Sequence, residues 1–311
     1  AGAVGSRFGA GPDLVYLPEL DFDMDKFLAD VERVYNEKHN CLVAVSEGVH
    51  FADGTFVSEA KASATDGFGH AQLGGLASRL CDAVITINEE DYQLAKARFP
   101  GRVERIHGIG VDAERYHPAT VEEQRAMRRR ESLSDEDFVI LCTGELNENK
   151  NQKTLISAAA LLKDQIPNLK VLLAGNGPKE RELREQIKAE GLEETVRLLG
   201  YRTDLEQLVP AVDVVVSCSK REGLPLNIVE AMLCAKPIVA SVNRGHRELV
   251  EDGVNGRLLA ADDAPGFAEA IFALDCDRGV CESMGEADRQ KALPYTVQSV
   301  QGEIKRLFSG D

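Results

Sequence analysis

The stretch DVVVSCSKREGLPLNIVEAMLCAKPIVAS, residues 213 to 241, decides the fold. Its ends, DVVVSCS (213–219) and KPIVAS (236–241), are short apolar runs, as in strands covered on both faces. Between them Leu226, Val229 and Met232 recur at helical spacing, and Pro225 can sit in the first helical turn, where its missing N–H costs nothing. Strand, helix and strand in this order predict a βαβ unit with parallel strands. A helix therefore begins at the carboxyl end of a strand. Its free N–H groups and positive dipole end make an anion site suited to a phosphate or diphosphate.

The same alternation extends both ways. Strands are expected in FVILCTGE (138–145), KVLLAGNG (170–177), VRLLGY (196–201) and GRLL (256–259), with helices in NQKTLISAAALLKDQ (151–165) and KERELREQIKAEG (179–191). Together they predict an α/β fold with a doubly wound, parallel, Rossmann-like sheet, whose ligand sits beyond the carboxyl ends of the strands. Upstream, CDAVITIN (81–88), EEDYQLAKARF (89–99) and VERIHGIGVD (103–112) read as strand, helix and strand. The segment 119–136 is charged and helical, and its run Arg128, Arg129, Arg130 reads as a solvated face. In the first 75 residues, LVYLPE (14–19) and CLVAVSEG (41–48) flank the helix DMDKFLADVERVYNEKH (23–39), a smaller βαβ arrangement followed by a looser Gly, Ser, Ala and Thr-rich region.

Composition bounds the partners. A chain of 311 residues has room for two domains at roughly 100 to 200 residues each. A formal charge of −16 argues against nucleic acid, whose affinity comes from Lys and Arg replacing counterions. Seven cysteines, an odd number without a C-x-x-C pair, read as reduced core thiols of a cytoplasmic protein. Cys276 and Cys281 lie close in sequence, but no His or further Cys completes a zinc set, so no metal is expected. No apolar run reaches transmembrane length. The start at Ala1, with neither Met nor signal region, suggests a fragment or processed chain.

Glu222 and Glu230 stand eight positions apart, about two helical turns, so both can face one crevice, one at its mouth and one deeper. Carboxylates accept paired hydroxyls, which fits sugar and ribose rings. The whole stretch EGLPLNIVEAMLCAKPIVAS resembles the E-x7-E region of the family 4 retaining glycosyltransferases, which adopt the two-domain GT-B fold. GELNENKNQKTLI, AGNGPKERELREQI, LGYRTDLEQL and RGHRELVEDGVNGRLL resemble further segments of that family's donor half, and CDAVITINEEDYQLAK and HGIGVDAERYHP its interdomain connection. The resemblance covers about residues 77 to 311.

It implies two catalytic groups: Lys150, neutralising the leaving diphosphate, and Glu222, holding the donor sugar's hydroxyls. Glu230 would hold the ribose. Amides near Leu224 to Asn227 would cap the phosphate, with Gly223, Leu224, Pro225, Leu226 and Asn227 forming one substrate-binding turn. Gly144, Glu145, Gly175 and Asn176 would line the donor site, and Gly200 and Tyr201 belong to the segment whose backbone meets the nucleobase. The implied donor is a UDP- or GDP-linked sugar and the acceptor a glycan or lipid-linked glycan, with no metal or other cofactor. Glu145 stands where many members carry Arg, and Ala235 where Gly is common. His246 follows a strand in a turn, where it could reach a ligand or serve as a surface or N-cap residue. His107 and His117 read as structural.

The first 75 residues lack the family's acceptor-binding signals. PDLVYLPELDFD, CLVAVSEGVHFADG and DGFGHAQLGG instead resemble, in order, a central piece of pyrophosphate-dependent phosphofructokinases, with Glu47 and His70 at positions that grip the sugar phosphate there. The GGDxxG and TxDxD motifs are missing and Leu73 replaces a common Arg, so phosphofructokinase activity is not expected. The expectation is a chimera: a phosphofructokinase-like fragment over 1–76, a connection over 77–118 and a nucleotide-sugar domain over 119–311. Three readings follow: a glycosyltransferase impaired by loss of its acceptor half, a nucleotide-sugar binding module, or a chimeric scaffold. An incomplete sheet would expose an edge and favour self-association. A Rossmann dehydrogenase is excluded, since no G-x-G-x-x-G follows a strand.

Overall fold

The computed structural model describes residues 14–16, 23–38, 43–45, 52, 83–99 and 101–309. The chain forms two compact units, residues 1–86 with 90–105, and residues 87–89 with 106–311. In the first, β1 (Leu14–Tyr16), α1 (Met24–Lys38) and β2 (Val43–Val45) make a βαβ turn, with Leu14 opposite Val43 and Tyr16 opposite Val45 in a parallel pair. Asp23 starts α1 by accepting the Lys26 amide on its side chain at 3.0 Å, and Val34 is buried. The strands β3 (Ala83–Thr86) and β4 (Arg102–Arg105) pair in parallel around α2 (Glu89–Arg98). The strand expected to run on to Asp112 stops at Arg105. Gly108 (φ 76°) and Gly110 (φ 80°) turn the backbone out of the extended region, and only Val111 bridges onward, to Thr296.

The second unit carries α3 (Val121–Arg130), β5 (Phe138–Thr143), α4 (Gln152–Leu162), β6 (Leu169–Ala174), α5 (Glu180–Ala189), β7 (Val196–Gly200), α6 (Leu205–Leu208), β8 (Val214–Ser217), α7 (Leu226–Leu233), β9 (Ile238–Ser241), α8 (Arg244–Leu249), β10 (Gly256–Leu259), α9 (Ala264–Cys276), α10 (Arg278–Ala292) and α11 (Val297–Ser309). Its six strands are all parallel, in the order β10-β9-β8-β5-β6-β7. From the first strand the chain winds out to one edge through β6 and β7, then returns to β8 and winds to the other edge. This is the doubly wound Rossmann order, and its direction reverses between β5 and β8.

Alternation along each strand feeds two cores. Phe138, Ile140 and Cys142 of β5 join Val171, Leu173, Val214, Val216 and Val239 under α4, α5 and α9. Val139 and Leu141 join Leu172, Val215, Ile238 and Ala240 on the opposite face, under α7 and α8 with Met127 of α3. The buried cysteines Cys142, Cys218, Cys234 and Cys281 are free thiols, while Cys276 is free and exposed. Burial pushes the Cys142 thiol up to about 12, so it is inert packing rather than a nucleophile. Cys41 and Cys81 lie outside the described residues.

The arginine run is not a uniformly solvated face. α3 is opened by a capping box between Thr120 and Glu123. Arg128 then turns inward and is 9% exposed. Its guanidinium donates to the carbonyls of Ala211 (2.9 Å) and Asp137 (3.0 Å) and to the Asp213 carboxylate (2.8 Å). These acceptors are left by the ends of β5 and β8 and the turn before β8, and a fork of fixed donors satisfies them together. Arg130 pairs with Asp204. Among the described residues, no helix is long and apolar enough to cross a membrane.

Candidate functional site

The crevice over the carboxyl ends of β5 and β8 is the switch point of the sheet, and two loops meet there. One, after β5, carries Lys150. The other, after β8, carries Glu222. Lys150 Nζ donates to Glu222 Oε1 at 2.6 Å, with both side chains largely withdrawn from solvent at 23% and 12% exposure. Residues 72 positions apart in sequence thus form one charge-assisted pair. Gly144 lies against this pair, where an added Cβ would stand 3.3 Å from Lys150 Cε.

The helix that follows Glu222 is α7. Pro225 is its N-cap rather than a residue of its first turn, because its ψ of 104° is extended. The Pro225 carbonyl accepts from the amides of Ile228 (3.1 Å) and Val229 (3.3 Å), so the amides of Leu226 and Asn227 precede the first intrahelical bond. They and the helix dipole face the crevice mouth without a side-chain cap. The side chain of Asn227 is committed elsewhere, donating to the Thr143 carbonyl at 3.2 Å and so tying the helix start to the end of β5. Leu224 packs towards Gly108, where an added Cβ would sit 2.3 Å from Leu224 Cδ2. The carbonyl of Gly223 accepts from Asn88, a fully buried amide.

Glu230, one helical stretch deeper, has different company. Burial pushes its carboxyl up to about 7, against a hydrogen bond from Tyr116 and the charge of Arg115, which both pull it down. Burial and the Glu230 carboxylate in turn raise the Tyr116 phenol well above its usual range. The two glutamates therefore sit in separate surroundings, Glu222 on a cation and Glu230 on a phenol.

Beside the Lys150 loop, an open cleft of about 340 Å³ is lined by Gly144, Glu145, Ala174, Gly175, Asn176, Tyr201, Arg202 and Leu205. Gly175 could be nothing else: at φ 150° an added Cβ would lie 1.9 Å from the Gly144 carbonyl oxygen. Its amide donates to the Gly200 carbonyl at 2.8 Å, and Gly200 itself has φ 69°. Tyr201, 75% exposed, stands free at the rim. Arg202 is held by Asp204 and Glu131. Glu145 accepts from Asn147 at 2.8 Å.

His246 is neither a surface residue nor a cap. It is fully buried, and the cap of α8 is Asn243, whose side chain accepts the His246 amide at 3.0 Å. Its Nδ1 lies 2.6 Å from the Ser241 carbonyl, and burial lowers its pKa. His107 holds Glu303 at 2.6 Å and meets Tyr295 edge-on, while His117 contacts the Pro118 carbonyl. Glu47 and His70 lie outside the described residues. Sequence reading missed Tyr116, Asn88 and Asn149, whose side chains act on the site from loops without a repeating pattern.

The model of the family "Glycosyl transferases group 1" matches residues 123–291, more than half of the chain. The chain belongs to this family of glycosyltransferases. Among its relatives, EpsD of Bacillus subtilis (strain 168) is 40% identical over 75% of this chain and 61% of its own. The alpha-D-kanosaminyltransferase of Streptomyces kanamyceticus is 29% identical over 72% of this chain and 59% of its own. The crystal structure of Anabaena HepE in complex with UDP and glucose superposes with a TM-score of 0.69 at 29% identity, covering 77% of this chain and 66% of that one. In its complex with UDP, HepE aligns over 100% of this chain and 81% of its own, with a TM-score of 0.76 and 25% identity. The chain thus spans about three fifths of the length of these two relatives.

Proposed function

We propose that the chain binds a nucleoside-diphosphate sugar over β5 and β8 and transfers its glycosyl group with retention of configuration. The observation that carries this is the Lys150–Glu222 pair at 2.6 Å beside the uncapped start of α7, at the switch point of a doubly wound sheet. A cation, a helix N-terminus and a carboxylate in that order suit a diphosphate followed by a sugar. In the reaction the acceptor oxygen forms a bond to the anomeric carbon while the bond from that carbon to the diphosphate breaks. The nucleotide leaves with the electron pair, and the acceptor proton passes to the departing phosphate or to water. Lys150 and the α7 amides stabilise the charge that grows on the leaving oxygen, Glu222 accepts the sugar's hydroxyls, and Glu230 accepts the ribose's. The cleft lined by Gly175 and Tyr201 takes the base, and the UDP complexes of HepE support uridine over guanosine. A glycan or lipid-linked glycan acceptor and a cytoplasmic setting belong to the same proposal.

A second reading is that residues 1–76 are a phosphofructokinase-like fragment and the donor is bound without transfer. It rests on sequence motifs alone, and the alignment of HepE over the whole chain favours the first. Incubation with UDP-glucose and a lipid-linked glycan, followed by nucleotide release and by NMR of the product's anomeric centre, separates them. An α-linked product from the α-linked donor is the expected result. Donor binding without release supports the second reading, and an inverted product contradicts the retaining mechanism.

A further inference from the structure

Lys150 and Glu222 sit on long side chains with several rotatable bonds each, so their own contact cannot hold two loops in register. Asn149 does so. Its backbone carbonyl accepts from the amide of Lys220 at 2.8 Å. Its Oδ1 accepts from the amide of Arg221 at 3.1 Å, and its Nδ2 donates to the carbonyl of Arg221 at 3.1 Å. The side-chain amide acts as a surrogate peptide group and continues, past the strand ends, the pairing that β5 and β8 make at Ile140 with Val214 and Leu141 with Val215. On its other side the loop is braced by the Lys150 amide donating to Asn147 Oδ1 at 2.8 Å.

The grip depends on chemistry as well as length. Asn supplies one donor and one acceptor. Asp at this position would set a second acceptor against the Arg221 carbonyl, and Ala would leave both Arg221 groups unmet by residue 149. We infer that Asn149 is a positioning residue of the donor site: by clamping residues 220 and 221 it fixes Glu222 relative to Lys150, and so the donor sugar relative to its diphosphate. This rests on the donor-binding reading above.

Calorimetric titration of the wild-type chain, Asn149→Ala and Asn149→Asp with UDP and UDP-glucose, and with GDP and GDP-mannose, tests it, with thermal unfolding of each variant alongside. The expected result is that the nucleotide alone binds both variants nearly as well as wild type. The nucleotide sugar loses about tenfold, the worth of a hydrogen bond to a charged group. Asp should be no better than Ala. A purely structural role would weaken nucleotide and nucleotide sugar in parallel with the fall in melting temperature, and that outcome overturns the inference, as does an unchanged ratio of the two affinities. Failure of the wild-type chain to bind any nucleotide overturns the donor-binding reading and the inference with it.

Discussion

At Gly175 the backbone leaves no space for a side chain, because a Cβ would overlap the Gly144 carbonyl at 1.9 Å and φ is 150°. Gly175→Ala is expected to destabilise the fold by at least about 3 kcal/mol, read by urea unfolding, and to close the cleft. Glu230 gives a prediction with a sign. Its carboxyl is raised from 4.5 to about 7, so the folded state favours the protonated form, and that contribution to stability fades as pH rises between those values. Ribose hydroxyls instead need the ionised acceptor. Affinity for a nucleotide sugar should therefore rise as pH rises through about 7, and Glu230→Gln should flatten that rise in titrations at several pH values. Lys150 was singled out through the family resemblance and Glu222 through its spacing from Glu230; the structure puts them in the loops after β5 and β8 and pairs them. Asn149 and Tyr116 were not legible, since a clamp and a phenolic partner depend on which distant backbone arrives beside them.

Elements were more readable than their ends. The six strands of the second unit and the helices α4, α5 and α7 lie where apolar periodicity puts them, because fully covered strands need unbroken apolar runs, whereas α9, α10 and α11 were not read from the sequence. The arginine run misled because charge counts cannot see that strand ends leave carbonyls for Arg128 to satisfy. Arg128→Ala should cost about 3 kcal/mol or more by urea unfolding, since it removes the donor of several withdrawn carbonyls together and one of the two arginines on Asp213. Asp288 of α10 is a second buried group with an energetic signature. Burial pushes its carboxyl up to about 9, while Asn255 donates to its Oδ1 at 2.7 Å. The unfolded chain releases that proton near the ordinary 3.8, so stability falls as pH rises from there towards 9. Asp288→Asn keeps an acceptor for Asn255 and should be relatively more stable at about pH 8 than at about pH 5 when urea midpoints of both proteins are compared.

At the scale of the molecule, the order β7-β6-β5-β8-β9-β10 does what no single motif can, by reversing the winding between the paired strands β5 and β8 and delivering two loops beyond their carboxyl ends. Sequence alone predicted a doubly wound sheet but not which strands would be neighbours, because order depends on how crossovers pack and not on local pattern. The phosphofructokinase likeness of residues 1–76 came from motifs alone and finds no support among the relatives, and Glu47 and His70 lie outside the described residues. Membership of the glycosyltransferase family rests on the second unit, where Lys150, Glu222 and Glu230 all lie. Calorimetric titration of the chain with UDP-glucose, repeated on Lys150→Ala and Glu230→Ala, tests directly that this crevice holds a nucleotide sugar. Saturable binding to the wild-type chain, weakened about tenfold or more in each variant while both remain folded, is the predicted result. Wild-type affinity retained in both folded variants would place the ligand elsewhere and contradict the account.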